Sequence, residues 1–327
     1  MSCTEVNDTL FGKLRPNLRK FFKPDFDGVC STEIWVLKAD KCHCDPAFLF
    51  YLVQSERFTE AACKTTGSKM PRADWGVLSL ESFYLPPIEE QKKIAEILRT
   101  WDQGIEKYSS YLATIRKKRQ AIVHQTLIKK EWLMTTLGNI ANIIVSNVDK
   151  KSIVEERSVR LCNYMDVFYN RYITSNIKFM EATASEHQIA RYTLKKGDAI
   201  FTKDSETSED IAVCASVEED IDMLVCGYHL AIARPKSNNI LGAYLAEAIN
   251  CSSVHHQFVK SANGATRFGL TIGDIESIKL PVPPIEAQRK ITLALRQCDK
   301  EKEIIEAIIA LIKSQKRGLM QRLLGGS

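Results

Sequence analysis

The chain has 327 residues, of which 45% are apolar and 26% are charged, with a formal net charge of +5. This composition excludes a largely disordered chain, and the length predicts about two domains. No stretch approaches the roughly 18 uncharged apolar residues of a membrane span, and no leader-like segment precedes Thr4 and Glu5. We therefore expect a cytoplasmic protein with no membrane association, whose ten cysteines are mostly reduced.

The first part of the chain predicts a small domain of strands and a helix. Short apolar runs at 9–11 and 33–37 predict strands, and 46–55 predicts a helix. The segment Cys42-His43-Cys44 lacks the usual Cys-x2-4-Cys spacing of a zinc site and a second such pair. A turn is favoured there, and we expect no metal.

A long helix is predicted to follow, from residue 88 to about 128. Pro-Pro-Ile-Glu at 86–89 suits a first helical turn, because proline there costs no hydrogen bond and glutamate complements the helix dipole. The following apolar positions alternate in steps of three and four, which is the heptad of a coiled coil. The predicted seam contains Gln91, Ile94, Leu98, Trp101, Ile105, Tyr108, Leu112, Ile115, Arg119 and Ile122.

A second domain is predicted between about 132 and 280. Apolar runs at 140–145, 198–201, 211–215 and 229–233 predict short strands, separated by polar or glycine-bearing turns. Residues 241–251 predict one helix on this scaffold. Adjacent His255 and His256 would point to different faces of a helix, so we interpret them as ordinary surface or packing residues.

The last segment repeats the first long helix at an offset of 197 residues. Pro-Pro-Ile-Glu recurs at 283–286, Gln288 matches Gln91, and Asp299 matches Asp102. Two copies of one domain-plus-helix unit are therefore predicted. The regular seams favour packing of the two helices on each other over packing of each on its own domain. The second seam contains Gln288, Ile291, Leu295, Cys298, Lys302, Ile305, Ile309, Ile312, Lys316, Leu319 and Leu323.

Motifs for catalysis are not found in the sequence. There is no phosphate-binding Gly-x4-Gly-Lys-Ser/Thr loop, no convincing dinucleotide motif, no Gly-x-Ser-x-Gly and no His-Glu-x-x-His. The Pro-Pro pairs are followed by isoleucine and so differ from the Asp/Asn-Pro-Pro-Tyr/Phe of amino-methyltransferases. We expect a protein that is not an enzyme and holds no cofactor.

Two matched segments, 65–72 and 261–268, combine glycine with basic and hydroxyl side chains. Such loops turn backbone N–H groups and cations toward phosphates, although a single basic loop is usually only solvated surface. A further matched pair of segments is 13–16 and 202–205. The candidate DNA-binding residues are Lys13, Arg15, Ser68, Lys69, Arg72, Lys203, Thr266 and Arg267.

Several motifs, taken together in their order along the chain, resemble the specificity subunit of type I restriction–modification systems. The resemblance covers nearly the whole chain. They are Leu-Arg-Pro at 14–16, Asp-Gly-Val-Cys-Ser-Thr-Glu at 27–33, Gly-Ser-Lys-Met-Pro-Arg-Ala-Asp-Trp at 67–75, both Pro-Pro-Ile-Glu-x-Gln segments and Trp-x3-Thr-Leu-Gly-Asn-Ile at 132–140. The resemblance implies two target-recognition domains, each reading half of a split DNA site. It also implies an antiparallel coiled coil that sets their spacing and holds modification subunits, and a separate restriction subunit.

The resemblance gives the expected organisation. The fold class is α+β, with two target-recognition domains of mixed helices and short strands, joined by two long antiparallel coiled-coil helices in a pseudo-twofold repeat. The expected segments are 1–85 for the first recognition domain, 86–130 for the central helix, 131–282 for the second domain and 283–327 for the last helix. Double-stranded DNA, methyltransferase subunits and a restriction subunit are the expected partners. Candidate base-reading residues are Asn163, Tyr164, Tyr169, Asn170 and Arg171.

The two copies differ at their beginnings. About 60 residues separate the Trp132 segment from the strand at 198–201, whereas the first copy opens almost directly on the matching strand at 9–11. We therefore expect residues 132–280 to read a half-site and the first domain to be impaired. The alternative is a relative that mainly binds modification subunits and reads DNA poorly; a stand-alone enzyme is the least favoured class.

Overall fold

The computed structural model describes residues 1–64, 71–127, 132–264 and 266–325. Its internal contacts divide the chain into two units, residues 1–114 with 302–327, and residues 115–301. We call them unit 1 and unit 2. Each unit combines one domain with part of both long helices.

Unit 1 is built on a three-stranded antiparallel sheet, in which β2 (Thr9–Gly12) lies between β3 (Phe21–Phe22) and β5 (Ile34–Leu37). Asp45 caps the first helix with its side chain, and Ser55 caps the second, so each helix begins where the sequence supplies an acceptor. The elements are β1 (Ser2–Thr4), β2 (Thr9–Gly12), β3 (Phe21–Phe22), β4 (Gly28–Cys30), β5 (Ile34–Leu37), α1 (Pro46–Val53), α2 (Glu56–Ala62), α3 (Trp75–Leu78) and the long helix α4 (Ile88–Leu127).

Two apolar clusters form the core of unit 1. One joins Phe11 of β2 to Val53 and Phe58 of the first two helices. The other places Phe48 and Leu52 against α4 and against the C-terminal end of the chain. The helices thus cover one face of the sheet.

After α4 the elements are β6 (Leu133–Thr136), α5 (Leu137–Ile140), β7 (Ala141–Val145), β8 (Arg157–Cys162), α6 (Tyr164–Tyr169), β9 (Tyr172–Ile173), β10 (Met180–Ala184), α7 (Glu186–Tyr192), β11 (Ala199–Thr202), β12 (Asp204–Ser205), β13 (Cys214–Val217), β14 (Leu224–Cys226), β15 (Leu230–Pro235), α8 (Gly242–Ile249), α9 (Ser252–Ser261), β16 (Phe268–Gly269), α10 (Ile272–Ser277), β17 (Lys279–Val282) and α11 (Ile285–Leu324). Unit 2 contains a five-stranded sheet, order β7-β15-β11-β13-β9, and a three-stranded sheet, order β10-β8-β14. Two further strand pairs, β12-β16 and β17-β6, complete it.

The five-stranded sheet is buried on both faces. Because successive side chains of a strand point to opposite faces, Phe201 of β11 packs with the helices α8 and α9, and Ile200 packs with the smaller sheet. Leu161 and Leu224 on that smaller sheet are fully buried. Unit 2 is therefore a layered α+β domain with two cores.

The central strands of the two sheets correspond. In unit 1 Leu10 pairs with Val36, and in unit 2 Ile200 pairs with Ile232, in both cases antiparallel. The order β3-β2-β5 thus repeats the order β13-β11-β15. This arrangement confirms the predicted α+β fold with a repeated domain.

One predicted strand is displaced. The strand expected at 211–215 begins at Cys214, because Ala212 adopts a left-handed backbone conformation with φ 57°. A short 3-10 turn, Ser208–Asp210, precedes it. The other predicted strands and helices lie within a few residues of the observed ones.

The two long helices run antiparallel within each unit. In unit 1 Ile94 and Leu98 of α4 share a core with Met320 and Leu324 of α11. In unit 2 Leu127 shares a core with Ile291 and Leu295. Residues late in one helix therefore meet residues early in the other. The heptad seams predicted that the helices pack on each other, and the resemblance implied the antiparallel direction.

Candidate nucleic-acid interface

The basic glycine segment of unit 2 forms a hairpin against the strand β12. Asp204 pairs with Gly269 and Ser205 with Phe268, so the segment returns beside the residues that follow the central strand β11. Asn263 and Gly269 exchange backbone hydrogen bonds of 3.0 and 2.9 Å. Thr266 and Arg267 are exposed near the tip of this hairpin.

Gly264 is required by the geometry of this hairpin. Its φ is 143°, and a Cβ at this position would lie 1.9 Å from the carbonyl oxygen of Arg267. An L-residue here would clash with the backbone that presents Arg267. The glycine thus has a structural reason in addition to any contact with phosphate.

Lys203 is held in an ion pair beside the hairpin. Its Nζ lies 2.6 Å from Oδ1 of Asp204, and the His229 Nδ1 lies 3.2 Å from Oδ2 of the same carboxylate. The Lys203 side chain is only 17% exposed. Its charge is therefore largely offset by Asp204, and Arg267 is the more accessible cation of this cluster.

An aromatic group lies next to the same strand. The Tyr164 hydroxyl is 3.3 Å from Oγ of Ser205, and its ring stacks on Phe168 with centroids 5.6 Å apart. Burial raises the pKa of Tyr164, so the phenol stays protonated and available as a hydrogen-bond donor. Tyr169 on the same helix is largely exposed.

The remaining base-reading candidates have contacts inside the unit. The Asn163 backbone N–H donates to Oδ2 of Asp166 at 2.7 Å, which fixes the start of α6. The Asn170 amide donates to the Asp166 carbonyl at 2.8 Å, and the Arg171 guanidinium lies 3.7 Å from Glu247. Tyr164 and Tyr169 are therefore better placed than these three residues to meet a ligand.

Unit 1 places its basic residues in the same relation. The Ala73 N–H donates to the Lys13 carbonyl at 2.9 Å, as the Leu270 N–H donates to the Lys203 carbonyl at 3.2 Å. The Arg15 N–H also donates to the Pro71 carbonyl at 2.8 Å. The structure thus brings Lys13, Arg15 and Arg72 together; Ser68 and Lys69 lie outside the described residues.

The side chains in unit 1 differ in accessibility. Arg15 is exposed and has a left-handed backbone conformation with φ 54°. Arg72 pairs with Glu33 at 2.8 Å. Trp75 is exposed and packs edge-on against Trp35, with centroids 5.4 Å apart. Trp75 ends the motif at 67–75 but was not chosen as a binding candidate. The Asp204–His229 contact was not predicted either, because only the folded chain brings His229 beside Asp204 and Lys203.

The predicted seam residues lie on the covered sides of both helices. All twelve of the apolar residues chosen from the sequence are at least half-buried, whereas Tyr108 of the same seam is exposed. The buried ones are Ile94, Leu98, Ile115, Ile291, Leu295, Ile305 and Ile309, and the half-buried ones are Trp101, Ile105, Leu112, Ile312 and Leu319.

A buried glutamine near the start of each long helix ties it to its own domain. The Gln91 amide donates to the carbonyls of His43 and Pro86 and accepts from the Asp45 N–H. The Gln288 amide donates to the carbonyls of Asn239 and Pro283 and accepts from the Leu241 N–H. Both side chains are fully buried, so the repeated glutamine is a structural joint.

Charged side chains link the two long helices of unit 2 to each other and to α8. Arg119 donates to both oxygens of Glu247 at 2.7 and 2.8 Å, and its Nε donates to Asp299 at 2.7 Å. The Tyr172 hydroxyl donates to Oδ2 of Asp299 at 2.9 Å. Burial opposes the charge of Arg119, but the Glu247 and Asp299 carboxylates outweigh it and raise the Arg119 pKa.

The structure shows no cofactor-like arrangement in the parts that it describes. Among those residues, no group of three His, Cys, Asp or Glu side chains is placed to hold a metal ion. At the Cys42–Cys44 segment, His43 instead contacts the Asp40 carboxylate at 2.9 Å. All ten cysteines are free thiols, five of them buried. No described helix is long and apolar enough to cross a bilayer.

A repeated α+β domain, each copy followed by a long helix, defines a protein built from two equivalent halves. The chain matches the family described as the type I restriction modification DNA specificity domain, over residues 17–112 and 129–314. Because these residues make up most of the chain, the protein belongs to that family. It is thus a protein of the specificity-subunit class of type I restriction–modification systems.

Two similar proteins are named as specificity subunits of type I restriction enzymes. The type I restriction enzyme MjaVIII specificity subunit of Methanocaldococcus jannaschii is 23% identical over 322 residues, which cover 91% of this chain and 74% of that protein. The putative MjaX specificity subunit of the same organism is 23% identical, with 93% and 73% covered.

Solved structures share the fold. The S subunit from M. genitalium has a TM-score of 0.58 at 17% identity, covering 99% of this chain and 84% of that one. A chain from a study of complex assembly and conformational transition of the type I R-M system has a TM-score of 0.63 at 18% identity, with 98% and 82% covered. The HsdS subunit from Thermoanaerobacter tengcongensis gives 0.51 at 18% identity, with 98% and 81% covered.

Proposed function

We propose that this chain reads a two-part DNA sequence and carries the modification and restriction subunits of a type I system, acting on cytoplasmic DNA without catalysing a reaction itself. Membership of the specificity family supports this role. The relatives named as specificity subunits, and the neighbour from a study of complex assembly, support assembly with other subunits.

One repeated observation carries the DNA-reading part of this proposal. In each unit, the residues after a basic glycine segment hydrogen-bond to the chain that leaves the central strand, at Lys13–Ala73 and at Lys203–Leu270. The chain that follows each donor-rich segment is therefore placed in the same way in both units. Two equivalent surfaces are what a site with two half-sequences requires.

The side chains of unit 2 suit contact with both backbone and bases. Arg267 offers a guanidinium that pairs with phosphate or, in two hydrogen bonds, with guanine. Thr266 offers a hydroxyl beside it, and both are exposed. Tyr164 and Tyr169 add a donor and an aromatic face. In unit 1 the exposed Arg15, on the segment that leaves the central strand, is an accessible cation.

DNA selection with the cognate modification subunits tests the proposal. The chain and its partners are incubated with a random DNA pool, and the DNA retained at moderate salt is sequenced. We expect two half-motifs separated by a fixed gap. Arg267→Ala should relax one half-motif and Arg15→Ala the other, each with about a 10-fold loss of affinity.

Lys178→Ala is the matched control, because it removes one exposed positive charge of unit 2 outside the hairpin. It should leave both half-motifs unchanged. Retention of DNA without any enriched motif, or equal effects of all three variants, would contradict sequence reading by these loops.

A second function is favoured by one feature of unit 1. A face of its sheet carries the half-exposed Phe22 and lies outside the two apolar cores of the unit. This feature supports a protein that reads at most one half-site and acts mainly as a scaffold for modification subunits. Recovery of a single half-motif, together with normal binding of those subunits, would favour this alternative.

A further inference from the structure

The turn between β14 and β15 carries an exposed aromatic residue next to the candidate interface of unit 2. Tyr228 in this turn is 51% exposed, and His229 follows it. The Lys203 N–H donates to the His229 carbonyl at 2.9 Å, beside the antiparallel pair of Thr202 and Leu230. The turn therefore lies at the end of the sheet where the chain leaves the central strand β11.

The Asp204 carboxylate joins this turn to the other parts of the interface. His229 Nδ1 lies 3.2 Å from its Oδ2 atom. The Asp204 backbone pairs with Gly269 of the basic hairpin, and the next residue, Ser205, contacts the Tyr164 hydroxyl. Continuous contacts thus connect the turn, the hairpin and α6 within one unit.

The ion pair of Asp204 fixes which ring nitrogen of His229 carries the hydrogen. Lys203 Nζ lies 2.6 Å from Oδ1, so the paired carboxylate only accepts hydrogen bonds. Nδ1 of His229 must therefore donate to Oδ2. A neutral imidazole has one N–H group, so its Nε2 atom is left as an acceptor.

This acceptor is not used inside the part of the protein that the structure describes. The Asp204 and Tyr228 contacts are those of the His229 side chain, and both leave Nε2 without a hydrogen bond to a described residue. The side chain is 31% exposed. His229 is therefore oriented by one nitrogen and can accept from a ligand with the other.

Tyr228 supports the imidazole from the side. Its ring lies edge-to-face with His229, at an interplanar angle of 82° and a centroid separation of 4.8 Å. Such aromatic contacts favour one relative orientation of the two rings. The exposed phenol ring is thus held in place before any ligand binds, and it offers an apolar surface beside the free acceptor.

We propose that His229 and Tyr228 read one base pair of the half-sequence that unit 2 contacts. Nε2 of His229 accepts a hydrogen bond from an exocyclic amino group in the major groove, which is N6 of adenine or N4 of cytosine. The Tyr228 ring packs beside the same base. This inference rests on the proposed function, and it adds two specificity-determining residues outside the basic segments.

The roles of the turn and the hairpin then differ. Arg267 offers a cation that suits phosphate or guanine, whereas His229 offers an acceptor that suits an amino group. Lys203 stays occupied by Asp204 and keeps that carboxylate available to the imidazole. The sheet end of unit 2 therefore combines a group that donates to DNA with one that accepts from it.

DNA selection with the cognate modification subunits tests the reading of one base pair. The wild type should enrich two half-motifs, and His229→Ala should relax a single position of one half-motif. Its affinity for the wild-type sequence should fall about 10-fold. His187→Ala, which removes an exposed imidazole of α7 in the same unit, is the matched control and should leave every position unchanged.

A base analogue tests the amino group itself. At the relaxed position, purine replaces adenine or pyrimidin-2-one replaces cytosine, so that only the exocyclic amino group is lost. The wild type should bind this DNA about 10-fold more weakly than the natural sequence. His229→Ala should bind both DNAs equally, because the acceptor is already absent.

Variants of Tyr228 keep the test valid if His229→Ala does not fold. Tyr228→Ala changes an exposed side chain and should relax the same position, with affinity reduced about 5-fold. Tyr228→Phe keeps the ring and should retain the motif. A two-part motif in which folded His229→Ala or Tyr228→Ala relaxes no position, or weakens all positions equally, overturns this inference alone. Absence of any motif in the wild type overturns the proposed function and this inference with it.

Discussion

The Arg119 guanidinium lies 2.7 Å from Asp299, and this contact repeats at an offset of 197 residues, where Lys316 lies 2.5 Å from Asp102. Each pair joins the two long helices within one unit. The first pair is enclosed, since Arg119 also binds Glu247. In the second, Asp102 is 41% exposed. The same contact is therefore part of a buried network in unit 2 and a partly exposed ion pair in unit 1.

This difference predicts unequal costs of removing the cations. Arg119→Met removes the cation between the buried carboxylates of Glu247 and Asp299, and we expect a loss of about 3 kcal/mol in the free energy of unfolding. Lys316→Met removes a pair that water partly screens, so we expect about 1 kcal/mol. Urea unfolding of both variants measures the difference. Equal losses would show that the burial of Arg119 does not increase its contribution to the free energy of unfolding.

The buried glutamines at matched positions predict similar losses of stability when either one is replaced. Gln91→Leu and Gln288→Leu each keep the side-chain volume but leave one backbone N–H and two carbonyls without their partner. We expect each variant to lose about 1–3 kcal/mol of stability. Hydrogen exchange at Asp45 in one case and at Leu241 in the other should become faster locally. Thr100→Val, at an exposed position of α4, is a control that should change neither.

Tyr172 predicts a dependence of stability on alkaline pH. Burial and the Asp299 carboxylate raise the pKa of Tyr172 above its ordinary value. The folded chain thus favours the protonated phenol. The contribution of Tyr172 to folding stability is complete below about pH 10 and is lost as the pH rises through the raised pKa. Between pH 8 and pH 10.5, the free energy of unfolding should fall by about 1 kcal/mol more in the wild type than in Tyr172→Phe.

Urea midpoints at the two pH values measure this effect. Tyr169→Phe, which removes an exposed phenol from the same unit, is the matched control and should behave like the wild type. Identical pH dependence in Tyr172→Phe and the wild type would contradict the role of the Asp299 contact.

Gly264 predicts an effect on DNA binding that is separate from stability. Gly264→Ala strains the hairpin by about 1–3 kcal/mol and displaces Arg267. We expect weaker DNA binding with a thermal unfolding temperature within a few degrees of the wild type, because the hairpin tip is exposed. Gly273→Ala, where a Cβ meets nothing closer than 3.9 Å, should bind DNA normally. Fluorescence anisotropy with the selected DNA makes the comparison.

Sequence reasoning predicted the features that depend on local pattern. The Pro-Pro-Ile-Glu segments start both long helices, and the seams place apolar residues such as Leu98 and Leu295 in the cores. The smaller sheet of unit 2 was not predicted. Its strand Arg157–Cys162 pairs in parallel with Leu224–Cys226, more than 60 residues away, and such pairing leaves no short-range signal.

The sequence predicted only part of the candidate interface, again because contacts made in the folded chain leave no short-range signal. Sequence repetition identified the two basic segments, and the structure brings the described end of each beside the residues that follow a central strand. Repetition did not predict that Lys203 is neutralised by Asp204, because this depends on the side-chain geometry of two adjacent residues. Nor did it predict the contacts of Tyr172 and Glu247 with the helices, which join residues far apart in the chain.

The core shared by Phe48, Leu98 and Leu324 has a consequence for biosynthesis. A ribosome releases the first domain long before it makes α11, yet Met320 and Leu324 complete the apolar cluster under that domain. The domain made first is therefore completed last, and it exposes part of its core during the translation of the whole second domain. Loss of the last ten residues would therefore destabilise the first domain more than the second domain, although the second domain is nearer to them in sequence.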